Sequence, residues 1–277
     1  MALYVNTNLA ALEAQTNLAR TQLAVGLSFQ RLSSGYRINT AADDAAGLGI
    51  SESLRAQVRS FTVAERNTNN AISMSQTAEG ALGQIGGILT RMREIAVQSS
   101  NGDLTATDRG YLDTEYTNLK SEVDRIAQST KFNGRDLLSG SSATVDFQVG
   151  IQNSAVDRIS VVFGNVSLTT LGIASSSVGG ATATAAQTAI DEIDTAIQNV
   201  STRRADFGAV MNRLQVSVSN IQSMRTTLSA ANSRIRDVDV AEETSMLARS
   251  QVLSQAGTAI LAQANQVPQL ALQLMRG

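Results

Sequence analysis

The chain has 277 residues, 43% of them hydrophobic but only 4% aromatic, with no Trp, no Cys and no His. That length admits one or two domains, and so little aromatic area favours helices packed through Ala, Leu, Ile and Val over a large mixed core. Twenty-two basic residues against 24 acidic ones, with no Lys/Arg run, give no nucleic-acid or lipid-binding surface. Without His or Cys there is no Ser-His or Cys-His nucleophile and no common zinc site, and no phosphate-loop motif occurs. Neighbouring acids such as Asp43-Asp44 and Glu242-Glu243 stand near helix starts, where they serve the helix dipole, so an enzyme is not expected.

In chain order, segment 3–32 has helical periodicity with two apolar stripes. Val5, Leu9, Leu12, Thr16, Ala19 and Leu23 form one, and Leu18, Val25, Phe29 and Leu32 lie roughly opposite at 100° per residue. Two stripes call for two partners, one in the same chain and one in another, or for complete burial in a single globular domain. Ser33-Ser34-Gly35 interrupts the pattern, and Asn39-Thr40 with Asp43-Asp44 reads as the start of the next helix. From Asp43 to about Ser99 the spacing becomes a regular heptad: Phe61, Ala64, Thr68, Ala71, Ser75, Ala78, Leu82, Ile85, Leu89, Met92 and Ala96. Gly80, Gly83, Gly86 and Gly87 either weaken this helix or let another helix approach closely.

A turn at 99–103 leads to a helix over about 105–130, which Asn133-Gly134 ends. Between 139 and 171 the period drops to two, with Val145, Phe147 and Val149 answered by Ile159, Val161 and Phe163 around a turn at Gln152-Asn153-Ser154, as in a β-hairpin. Residues 175–186 read as a low-complexity connector. The heptad returns over about 185–235 through Ile193, Ile197, Val200, Phe207, Met211, Leu214, Val218, Ile221 and Leu228. Arg204 and Arg225 fall on that seam, leaning out to pair with acids of a neighbouring helix or fixing its register. A hinge at 234–239 precedes a last helix whose stretch 250–275 carries no charge. Its six glutamines and Pro268 make it unsuited to lipid. Gln255, Gln266 and Gln273 share one face of it, roughly opposite Met246, Leu253 and Ile260. The amino terminus lacks the basic start and apolar run of a secretory signal peptide. The expected fold is mainly α with a small β-hairpin region: a long antiparallel helical rod over 43–235, and a two-helix terminal domain from 1–42 and 236–277.

The motifs SSGYRIN and ADDAAGLGIS near the start, FNGRDLL at 132–138, and SRIRDVDVAEETSMLARSQVLSQAGTAILAQANQVPQ near the end resemble those of bacterial flagellin. The resemblance covers about 1–140 and 180–277, with Tyr36 where the family often has leucine and Ala42 where it often has a basic residue. It implies a minimal form without large outer domains, whose subunits self-assemble into the hollow helical filament of the bacterial flagellum for swimming. Assembly would fall to Val5, Leu9, Leu12, Leu23, Ile260, Val267 and Leu274. The uncharged glutamine face, Gln255, Gln266 and Gln273, would line the lumen of such a filament or make polar contacts between neighbouring inner helices. It also implies no cofactor, no nucleic acid and no membrane insertion. Export would run through the flagellar type III apparatus without a cleaved signal, to an extracellular position. The implied partners are copies of itself, an export chaperone, a filament cap and hook-associated proteins. LTRMREIAVQ is similar to the segment sensed by the vertebrate flagellin-binding Toll-like receptor, which makes Arg91, Glu94, Ile95 and Glu115 candidate contacts. Alternatives are a hook–filament junction protein of the same family and a coiled-coil signalling module.

Overall fold

The computed structural model describes the backbone over 7–140 and 143–276, and side chains over 7–140 and 144–266. Among the described residues are helices α1 (Leu9–Ser34), α2 (Ala45–Ser99), α3 (Ala106–Ser129), α4 (Leu168–Leu171), α5 (Thr184–Arg236) and α6 (Val240–Arg276). Strands β1 (Lys131–Phe132) and β2 (Arg135–Asp136) form one antiparallel pair, and β3 (Ala143–Gln148) and β4 (Arg158–Phe163) another. None of these helices is long and apolar enough to cross a membrane. The chain divides into two compact units, residues 1–58 with 227–277, and residues 59–226, so both boundaries fall inside α2 and α5.

The second unit is built on the heptad. All eleven α2 positions of the stripe, Phe61 through Ala96, are buried, and Leu82, Ile85, Leu89 and Met92 are 0% exposed. Val200, Phe207, Leu214, Val218 and Ile221 of α5 are buried too, as are Tyr116, Val123 and Ile126 of α3. The β3–β4 hairpin pairs Val145 with Val161 and Phe147 with Ile159, sends Ile159, Val161 and Phe163 inward, and places Phe163 5.5 Å from the Phe207 ring. Its period of two is what half-burial of a sheet face requires. Thr105 caps α3 in a reciprocal box with Asp108. Asn133 and Gly134 both have positive φ (49° and 76°), as a tight β1–β2 turn demands.

Of the four α2 glycines, Gly80 and Gly87 have nothing within 4 Å of where a Cβ would stand. Gly83 and Gly86 meet only ordinary contacts at 3.9 Å, so no neighbouring helix presses on them within the chain. Arg204 and Arg225 both lean out of the seam: Arg204 donates to Glu79 at 2.7 Å and Arg225 to Glu65. The segment read as a low-complexity connector is held by a polar row on α3. Lys120 donates to the carbonyls of Ala174 and Ser176, Tyr116 bonds Ser176, Asp113 accepts from the amides of Val178 and Gly179, and Arg109 reaches Ala181. These four residues are spaced 4, 3 and 4 apart, one face of a helix.

The first unit packs differently. α1 and α6 run antiparallel, from Asn8 donating to the Ala264 carbonyl at one end to Arg31 beside Glu243 at the other. α1 stops at Ser34 because Gly35 takes the left-handed conformation (φ 75°) and returns its amide to the Arg31 carbonyl. The joint then pairs as a short antiparallel bridge: Arg37 donates to the Arg236 carbonyl and Val238 to the Gly35 carbonyl, with Ile38 buried beneath. Asp43 accepts from the amides of Asn39 and Thr40, and Asp44 from Gly47, so α2 begins at Ala45, slightly later than the acids suggested.

Candidate functional site

The seam between α1 and α6 uses one of the two α1 stripes. Ala11, Ala14, Leu18, Thr21, Val25, Ser28 and Leu32 turn inward on α1, facing Leu247, Ser250, Ser254, Gly257, Leu261 and Ala264 on α6. Most are small, so the helices close tightly: a Cβ on Gly257 would stand 3.3 Å from Leu18 Cδ1. The large residues of the other stripe are left outside. Leu9 and Leu12 are 64% exposed and Leu23 is 75% exposed. Phe29, counted with the inward stripe, is 54% exposed, because the seam drifts as it follows a 3.5-residue period. On α6, Met246, Leu253 and Ile260 recur every seven residues and are also exposed. Exposed apolar rows of this kind are the sort of surface that interaction sites use.

The sequence-nominated residues sort as follows. Leu9, Leu12, Leu23 and Ile260 all stand on exposed apolar rows of the first unit. Gln255 and Gln266 are exposed on α6, on a face turned away from the seam. Val5 and the side chains of Val267, Leu274 and Gln273 lie outside the described residues.

The joint carries a cluster that pattern reading did not single out. The Arg236 guanidinium lies 4.7 Å above the Tyr36 ring and donates to Glu52 at 2.6 Å. That hydrogen bond holds the Glu52 carboxyl below its ordinary value. Tyr36 therefore supplies a flat face for a cation.

In the second unit, Arg91 joins Glu94 at 2.8 Å and Glu115 at 3.0 Å, a surface ion cluster bridging α2 and α3. Ile95, nominated with them, must be corrected. It is 1% exposed, within the core, because α2 is covered there by both α3 and α5, and its seam widens from one residue per turn to two. Among the described residues, no group of three His, Cys, Asp or Glu side chains could hold a metal ion.

The family model for the N-terminal helical region of bacterial flagellin matches residues 5–143, and that for the C-terminal helical region matches residues 190–275. A flagellin of Halalkalibacterium halodurans is 43% identical over 272 residues, spanning 98% of this chain and 99% of its own. One of Bacillus subtilis is 41% identical over 304 residues, with the same coverage of each chain. Among solved structures, a putative flagellar hook-associated protein from Vibrio parahaemolyticus superposes with a TM-score of 0.60 at 15% identity, over 70% of this chain and 100% of its own, a likeness of fold.

Proposed function

Because the chain belongs to the bacterial flagellin family and is a structural subunit of the extracellular flagellar filament, we propose that its terminal helices carry the contacts that polymerise it. The observation behind this is the outward row Leu9, Leu12 and Leu23, on a helix whose opposite side is already occupied within the chain. Two apolar rows, one on α1 and one at Met246, Leu253 and Ile260 on α6, give one subunit two different faces. Unlike faces meeting head to tail build an open helical polymer when the rotation from subunit to subunit does not close on itself. By sequence spacing alone Val5 continues the α1 row and Val267 and Leu274 the α6 row, and in this reading residues 1–42 and 236–277 are the inner domain and 43–235 the rod.

The uncharged glutamine face of α6, with Gln255, Gln266 and Gln273, is assigned to the filament bore. Amides there keep hydrogen-bonding capacity while offering passing chains neither ion pairs nor apolar adhesion. The same reading includes export through the flagellar type III apparatus, with a chaperone on the C-terminal helix, and capping at the filament tip; family membership supports it. Arg91, Glu94 and Glu115 remain the exposed residues suited to contact with a vertebrate Toll-like receptor.

The experiment is polymerisation of a variant carrying Leu12→Glu and Leu23→Glu. We expect no sedimentable filaments from a chain whose helical circular dichroism matches the parent. Filaments formed at the parental rate would overturn the assignment of this row.

A further inference from the structure

The second unit contains two Asn-Gly pairs in turns, Asn101-Gly102 after α2 and Asn133-Gly134 between β1 and β2. In such a pair the backbone nitrogen of the glycine can reach the asparagine side-chain amide, since no Cβ obstructs it. We propose that Asn101 is a site of spontaneous deamidation in the folded chain, promoted by the Arg109 guanidinium, and that Asn133 is shielded from the same reaction by its hairpin.

The reaction needs only water. The Gly102 amide nitrogen, its proton lost to solvent base, attacks Cγ of Asn101. A C–N bond closes a five-membered imide ring, the Cγ–Nδ2 bond breaks, and the nitrogen leaves as ammonia. Water then opens the ring at one of its two carbonyls. The product is aspartate, or isoaspartate, in which the backbone runs through the side-chain carbon.

The acidity of the Gly102 N–H limits this step, and Arg109 acts on it directly. The peptide group that must lose the proton includes the Asn101 carbonyl, which accepts from Arg109 Nη2 at 2.9 Å. When the nitrogen is deprotonated, much of the negative charge moves to that oxygen. A guanidinium already bonded to it stabilises the anion as an oxyanion donor does. Arg109 is 4% exposed, and its remaining bonds go to the carbonyls of Ser99 and Ala181, so among the described contacts no carboxylate neutralises it. The negative end of α2 works against an added anion, but it is a partial charge, and Arg109 is a whole one in direct contact. The Asn101 side chain is exposed and makes no described hydrogen bond, and nothing lies within 4 Å of where a Cβ on Gly102 would stand.

Asn133 is just as exposed and Gly134 just as open, so the two sites differ in their backbone and in the cation. Asn133 holds φ 49° in a two-residue turn, with Phe132 paired to Arg135 and Lys131 bonded to Asp136 at 3.0 Å. Its peptide would have to leave the hairpin before ring closure, and no described cation bonds its carbonyl.

Isoaspartate at 101 lengthens the backbone by one methylene and draws the carbonyl away from Arg109, leaving a buried cation short of an acceptor. We expect the converted protein to melt about 2–4 °C lower.

The test is peptide mapping of the full chain aged at 37 °C in native buffer and, in parallel, in urea, with isoaspartate scored by its specific methyltransferase. In native buffer Asn101 should convert at least about tenfold faster than Asn133, and in urea the two rates should converge. Asn101 should also react faster in the native chain than in urea. Arg109→Met, if it folds, should bring the Asn101 rate down to the urea value. If it does not fold, the native-to-urea comparison on the unaltered chain decides alone. Equal native rates at the two sites, or an Asn101 rate below its urea value, would overturn the proposal.

Discussion

The two units use the same helical period for opposite ends. In residues 59–226 the heptad carries Leu, Ile, Met and Phe inward, and Leu82, Ile85, Leu89 and Met92 have no exposure left. In the first unit the inward positions are Ala, Ser, Gly and Thr for the most part, and Leu9, Leu12 and Leu23 of α1 face out. A seam of small residues brings helices close but removes little apolar area from water, and burial scales with area. Residues 59–226 therefore complete their core within one chain. Residues 1–58 with 227–277 leave several of their largest side chains exposed.

The largest effect that separates them is deletion of residues 267–277. This removes Val267, Leu270, Leu272, Leu274 and Met275, each worth on the order of 1.5–3 kcal/mol if fully buried. Polymerisation, read by sedimentation, should be abolished while the melting of residues 59–226 is unchanged. Loss of both together would mean the units do not divide the labour in this way.

Next comes a pair of truncations read in the monomer by chemical denaturation. Leu89→Ala opens a cavity in the second unit and should cost about 2–5 kcal/mol. Leu23→Ala, at 75% exposure, should stay within about 0.5 kcal/mol of the parent. If Leu23→Ala proves as costly as Leu89→Ala, its row is already buried in the monomer.

Smaller still, Gly80→Ala and Gly87→Ala should each stabilise the monomer by about 0.5–1 kcal/mol, since the helix gains propensity and no atom stands in the way. A destabilised monomer would show that the helix does not pass these positions undistorted. The same variants tested for polymerisation report whether a neighbouring subunit needs the missing Cβ.

The smallest effect is acid loosening, present in both units. Asp43, bonded to Thr40 in the joint, and Asp108, bonded to Thr105 at the α3 cap, both titrate below the ordinary 3.8 because those bonds favour the carboxylate. Their contribution is present above the unfolded value and is lost as pH falls through the depressed folded values. Amide exchange at the joint and at the start of α3 should thus rise as pH falls below about 3.8, after correction for intrinsic rates. Asp108→Asn should remove the α3 part of this dependence, and a profile unchanged by that substitution would disprove it.

Much of the architecture was legible before any coordinates. The α2 and α5 stripes could be listed residue by residue because a heptad held for many turns fixes which side is buried, whatever lies opposite. The hairpin was legible from its change of period, and the joint from Ser-Ser-Gly and the acids beyond it. Composition alone, with no His and no Cys, set aside whole classes of chemistry.

Other features depended on the neighbour, which a sequence does not name. Both α1 stripes are apolar, and only the placement of α6 showed that Leu18, Val25 and Leu32 go inside while Leu9, Leu12 and Leu23 stay out. Ile95 sits one residue from a correctly placed Ala96, yet it is buried because α3 covers α2 from a second direction. Arg109, Asp113, Tyr116 and Lys120 have the spacing of an ordinary solvated helix face. They became a row that holds residues 174–181 only when the returning chain laid its backbone groups along them. Periodicity within a segment tells which residues share a face. What that face meets is decided by packing across the chain, where burial and hydrogen bonding are set by residues far apart in sequence.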